Sequence, residues 1–171
     1  MAEKEAAIRS TKQPGPERPV RVLFVCTGNS ARSLFAESLL RRTGGDEFDV
    51  YSAGTEPRGV NPLTIEVLED AGYPTSGLSS KSVATYLGES FDYVITVCDN
   101  ARENCPVFPG AHESLHWGYD DPAAVQGTDE ERREAFRRTL VAMSERIGQF
   151  ATLVRRQRRE ARAAHASAGG R

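Results

Sequence analysis

The sequence predicts an α/β fold, a four-stranded parallel sheet with helices on both faces. Two observations carry that expectation. Apolar runs of strand length, "VRVLFVC" (20–26), "FDVYSAG" (48–54) and "FDYVITVC" (91–98), recur along the chain, and the first is a continuous β-branched run of the kind buried on both faces of a parallel sheet. Between them lie segments whose apolar residues repeat at helical spacing. Strands that alternate with helices specify a parallel sheet covered on both sides, because a parallel neighbour is reached only through a crossover.

Residues 1–18 mix both charge signs without an apolar h-region and read as a disordered leader, neither signal peptide nor membrane anchor. A single domain is expected over 19–154, a length that can bury a sizeable core. After the first strand, Leu34, Phe35, Leu39 and Leu40 share a helical face, and "TGG" (43–45) ends that helix. Following the second strand, Asn61 and Pro62 place a cap and a first-turn proline ahead of "LTIEVLEDAG", whose stop is Gly72. A shorter helical stretch around "SVATYLGE" leads to the third strand, and "ESLHWGY" supplies a short fourth. "TDEE" (128–131) has the spacing of a capping box. It opens a long helix whose stripe is Phe136, Leu140, Met143, Ile147, Phe150 and Val154. Residues 155–171 form a basic tail around "RRQRREAR".

Composition narrows the function. A net charge of −2 gives no general case for nucleic acid or a membrane surface as partner. Three cysteines in a chain without export signals point to the reducing cytoplasm, where an odd count argues for reactive thiols over structural bridges.

The chemistry concentrates in "VCTGNSAR" (25–32), which follows the first strand directly. Ligands of such folds bind outside the carboxyl ends of the strands, where helix N-termini offer unpaired N–H groups. Amides from Thr27, Gly28, Asn29, Ser30, Ala31, Arg32 and Ser33 can curl into an anion nest, with Gly28 and Asn29 suited to left-handed backbone. Arg32 supplies a planar fork for two oxyanion oxygens. That positive field favours a Cys26 thiolate, and Ser30 or Ser33 can hydrogen-bond the sulfur. A nucleotide-binding P-loop is excluded, because its Gly-Lys-Ser/Thr is missing. Cys98 and Cys105 are too far apart in sequence for a Cys-x2-4-Cys zinc pair, and neither a metal nor another cofactor is expected.

"VCTGNSARS" resembles the phosphate-binding loop of the low-molecular-weight protein tyrosine phosphatases, a Cys-x5-Arg-Ser motif, and of the arsenate reductases built on the same flavodoxin-like fold. "YSAGTEPRGVNP", "TVCDNARENCPVFPG" and "HWGYDDPA" are similar, in the same order, to blocks of the thioredoxin-coupled arsenate reductases, so the resemblance spans about residues 20–150. It implies that Cys26 attacks arsenate, that Cys98 then attacks Cys26 and expels arsenite, and that Cys105 attacks Cys98. It also implies Asp121 as the proton donor, with Asp120 its nearby competitor, and thioredoxin as the electron donor. Phosphate or sulfate would compete for the loop.

The same resemblance makes the first and third strands neighbours, ending Cys26 and Cys98 at one sheet edge. Were the span from Cys98 to Cys105 a regular helix, its ends would lie about 10 Å apart, whereas a disulfide tolerates at most roughly 7 Å. The helix must then unwind, which the polar "DNARENCP" suits. Some relatives hold a monovalent cation on Asn, Glu, Ser and Asp side chains. Here Asn29, Glu37 and Ser52 match, but Lys81 stands for the Asp, so an ammonium replaces the cation. His116 and Trp117 read as packing or hydrogen-bonding groups. The first hypothesis is therefore a monomeric cytoplasmic arsenate reductase. Its alternatives are a phosphomonoesterase, disfavoured because Ala123 stands where the phosphatases usually carry tyrosine, and a redox-responsive or anion-binding module.

Overall fold

β1 (Val20–Cys26) is the organising strand, with every residue but Arg21 buried. β2 (Phe48–Gly54) pairs with it in parallel from Val20↔Phe48 to Cys26↔Gly54. On its other side β3 (Tyr93–Thr96) pairs from Val22↔Tyr93 to Val25↔Thr96, and β4 (Glu113–His116) pairs in turn with β3. The sheet is four-stranded and parallel in the order β2-β1-β3-β4. Chain direction across it reverses at β1, the kind of switch point at whose carboxyl end ligands of such sheets bind. The computed structural model describes residues 18–169; the expected leader, apart from Arg18, lies outside them.

Among the described residues four α-helices accompany the strands: α1 (Arg32–Gly44), α2 (Pro62–Asp70), α3 (Asp99–Asn104) and α4 (Asp129–Gly169). Asn61 Oδ1 accepts from the Leu63 N–H at 2.9 Å, capping α2 as its sequence predicts. Thr128 Oγ1 accepts from Glu131 N at 3.1 Å at the start of α4. The α4 stripe from Phe136 to Val154 is buried. Phe136 meets Phe35 of α1 edge-on, and Phe150 packs against Phe48 and Trp117. Tyr51 has the opposite strand parity to Phe48 and faces the other side of the sheet, where it meets Tyr86 and Phe91.

Several elements differ in detail from expectation. The stretch 82–89 holds only a one-turn 3-10 helix, Val83–Tyr86. The third strand is shorter than 91–98. Val97 still donates to the Val25 carbonyl at 2.9 Å, but the Cys98 carbonyl accepts from Arg102 N at 3.1 Å and thereby starts α3. Cys98 is thus a helix cap and not a strand end. The last helix does not stop with its apolar stripe but runs to Gly169, its final turns exposed. Alanine and arginine favour helix intrinsically, so the segment needs no core to stay wound. Among the described residues no helix is long and apolar enough to cross a membrane.

Candidate active site

The loop between β1 and α1 is fastened from outside. Carbonyls of Cys26, Thr27, Gly28 and Ser30 accept from the N–H groups of Thr55, Glu56, Arg58 and Asn61 at 2.8–3.1 Å. Each trans peptide points its N–H away from the preceding carbonyl, so the amides of Thr27, Gly28, Asn29 and Ala31 turn to the concave side. The unpaired amides of the first turn of α1 join them there. Asn29 N proves the direction by donating to Cys26 Sγ at 3.1 Å. The result is a ring of donors with a positive helix end behind it, suited to a tetrahedral oxyanion.

Of the two residues expected in left-handed backbone, Asn29 adopts it, with φ 44°, whereas Gly28 does not. A Cβ on Gly28 would make only ordinary contacts, with Ser30 Cβ at 3.5 Å and Arg58 at 3.6 Å. The glycine the loop does require is Gly54, at the end of β2. There a Cβ would stand 2.5 Å from the Thr27 carbonyl oxygen and 2.9 Å from Asn29 N. Sequence reasoning passed over it because the close approach is long-range.

A buried polar chain supports Cys26. Ser33 Oγ lies 2.8 Å from Cys26 Sγ and accepts from Asn29 Nδ2 at 2.7 Å, leaving its own hydrogen for the sulfur. Asn29 Nδ2 also donates to Ser52 Oγ at 3.0 Å, and Ser52 donates to Glu37 Oε2 at 2.7 Å. Lys81 N donates to Asn29 Oδ1 at 2.7 Å, so the amide orientation is fixed at both ends. Glu37, 1% exposed, is balanced by Arg41 Nη2 at 2.6 Å and Lys81 Nζ at 3.9 Å. Burial holds Lys81 below the usual lysine value, Glu37 opposing the shift and Arg41 adding to it. Ser30 is not a ligand of the sulfur; its carbonyl accepts from Thr64 Oγ1 at 2.7 Å.

Arg32 opens α1, its side chain largely covered, with Nη1 donating to the Tyr119 carbonyl at 2.9 Å. Nη2 stands 3.9 Å from Asp121 Oδ2. Asp121 caps the 3-10 turn Pro122–Ala124 by accepting from Ala123 N at 3.0 Å through Oδ1, which leaves Oδ2 beside the guanidinium. Asp120 forms no such contact with Arg32 among the described residues.

Neighbouring strands bring the second thiol to the same edge. Cys98 Sγ lies 3.4 Å from Thr27 Oγ1, which also accepts from Asn100 Nδ2 at 2.8 Å. Cys98 is buried and Cys105 half-buried at the far end of α3, and all three cysteines are free. Burial pushes the Cys105 thiol above its ordinary value. Among the described residues no group of three or more His, Cys, Asp or Glu is placed to hold a metal ion. Trp117 packs in the core between Phe24 and Phe150, while His116 reaches the first turn of α3.

Residues 21–160 match the family described as low molecular weight phosphotyrosine protein phosphatase. An arsenate reductase of Halalkalibacterium halodurans is 43% identical over 130 residues, 76% of this chain and 94% of that protein. A solved structure described as an arsenate reductase in the phosphate binding state superposes with TM-score 0.63 at 28% identity, covering 78% of this chain and 97% of its own. The thioredoxin-dependent arsenate reductase of Corynebacterium glutamicum superposes with TM-score 0.53 at 26% identity, over 85% of this chain and 70% of its own.

Proposed function

The chain belongs to the low molecular weight phosphotyrosine protein phosphatase family, and from that premise we propose that it is an arsenate reductase running on a Cys26, Cys98 and Cys105 relay. The observation that carries this reading is the meeting of two thiol sites at Thr27, whose amide faces the anion loop and whose hydroxyl touches Cys98. A phosphomonoesterase needs the first site and has no use for the second.

Arsenate occupies the amide ring with two oxygens on the Arg32 fork. Cys26 attacks arsenic and forms an S–As bond, while Asp121 gives a proton to the departing oxygen, which leaves as water. Cys98 then attacks the Cys26 sulfur. An S–S bond forms, the S–As pair stays on arsenic, and As(V) departs as arsenite, reduced by two electrons. Cys105 next attacks the Cys98 sulfur and releases Cys26 as thiolate. A dithiol partner reduces the Cys98–Cys105 bridge, and thioredoxin fits that role, as the C. glutamicum neighbour supports.

The reading places the protein in the cytoplasm as a monomer. Its catalytic domain spans 19–154. Turnover of arsenate with thioredoxin and its reductase, set against glutathione with glutaredoxin, is the test. Arsenite formed with thioredoxin alone supports the relay. Arsenite formed only with glutathione would move the reading to another donor, and none with either would overturn it.

A further inference from the structure

β4 sends one side chain to the helix that joins the second and third cysteines. His116 closes that strand, with Nδ1 2.8 Å from Thr96 Oγ1 and Nε2 2.9 Å from Asp99 Oδ1. A carboxylate only accepts, so Nε2 carries a proton. The Thr96 hydroxyl can donate or accept, so the bridge suits both charge states of the ring. Asp99 is the first residue of α3. The backbone of Gly118 lies against the pair, and a Cβ there would stand 3.3 Å from Nε2 and 3.4 Å from Oδ1.

The first turn of α3 is therefore tied to the sheet, and Asn100 ties it again to Thr27. Its second turn is not held in this way. Arg102, Glu103 and Asn104 are exposed, and Asn104 bonds back to Asn100 within the helix.

We propose that His116, acting through Asp99, is a positioning residue that holds α3 in its reduced, helical place and so sets how readily Cys98 and Cys105 join. This rests on the relay reading. Seven helical rises separate the two Cα atoms by about 10 Å, beyond the roughly 7 Å that a disulfide spans, so α3 cannot keep its shape when they pair. Cys98 is 4% exposed and directly precedes Asp99, so a bridge carried outward to an external dithiol through its Cys98 end takes the first turn off the sheet. The His116–Asp99 contact then exists in the reduced state alone, and a contact made in one of two states biases their equilibrium by its own worth. With the Asp99 side chain 88% exposed, that worth is that of a surface pair, about two- to fivefold.

The test is a redox titration of the full chain carrying Cys26→Ser, which leaves Cys98 and Cys105 as its only thiols. In the exchange the dithiol and oxidised glutathione give the intramolecular disulfide and two reduced glutathiones. Thiols are trapped at each glutathione ratio and the bridged fraction is read by mass spectrometry. His116→Phe and Asp99→Ala should each raise the disulfide equilibrium constant about two- to fivefold, about 9–21 mV more negative at 29.6 mV per decade. The double variant should shift no further, and Asp99→Asn, which keeps an acceptor oxygen, should stay near the parent. If His116→Phe fails to fold, Asp99→Ala at its exposed site carries the same comparison. Unchanged constants, or shifts that add in the double variant, overturn the proposal. A parent in which Cys98 and Cys105 never bridge would instead overturn the relay.

Discussion

The main-chain N–H of Asn29 donates to the sulfur of Cys26 at 3.1 Å. Asn29 holds φ 44° while its side chain fixes Ser33, Ser52 and the Lys81 amide. One residue therefore shapes the loop, supplies a donor to the Cys26 sulfur and anchors the buried chain to Glu37. Asn29→Ala should cost roughly 2–4 kcal/mol, from about 1 kcal/mol of left-handed strain and 1–3 kcal/mol of unsatisfied buried partners. Urea unfolding of the variant checks the figure, and a loss below about 0.5 kcal/mol would place the anchor elsewhere.

Gly54 is the point where β2 presses on the loop. Its added Cβ would meet backbone, which cannot swing aside as a side chain does. Gly54→Ala is expected to destabilise the fold by about 1–3 kcal/mol and to weaken phosphate binding, measured by calorimetry. Wild-type affinity in that variant would mean the loop tolerates the shift.

The strands, the anion loop and the cap of α2 were legible in the sequence because each is written locally: a β-branched run, a Gly-Asn turn, an Asn-Pro start. What escaped is long-range. Nothing near Arg32 announces that the Tyr119 carbonyl will accept from its Nη1, and nothing near Gly54 announces the Thr27 carbonyl. Cys98 followed an apolar run and read as a strand end, yet its carbonyl had an alternative partner in Arg102, and the helix took it. The α4 stripe marked where the core ends, at Val154, and not where the helix does. Periodicity reports burial, and an exposed extension rich in alanine leaves no such trace.

Asp121 Oδ2 stands beside Arg32. Asp121→Asn keeps the shape and removes the proton that the proposed function assigns to this carboxyl. Hydrolysis of a small aryl phosphate, as a probe of the first site, should fall about 10²- to 10⁴-fold in kcat, with phosphate inhibition unchanged. A fall confined to KM would assign Asp121 to binding.

Burial raises the Cys105 thiol above its ordinary value. A raised folded-state value contributes stability that is present below 9.0 and lost as pH climbs through the raised value. The thiolate is also scarce until that same window. In a chain carrying Cys26→Ser and Cys98→Ser, alkylation of Cys105 by iodoacetamide should still accelerate above pH 9. A plateau below pH 9 would show that Cys105 leaves its half-buried position before it reacts.

The most direct measurement is a single turnover of the fully reduced chain with excess arsenate and no reductant, followed by thiol trapping and peptide mass spectrometry. One arsenite per chain should form, with Cys98 joined to Cys105 and Cys26 free to be trapped. Cys105→Ser should stop at a Cys26–Cys98 bridge after the same yield, and Cys98→Ser should release no arsenite. Arsenite released in full by Cys98→Ser, with no bridge in the parent chain, would contradict the relay.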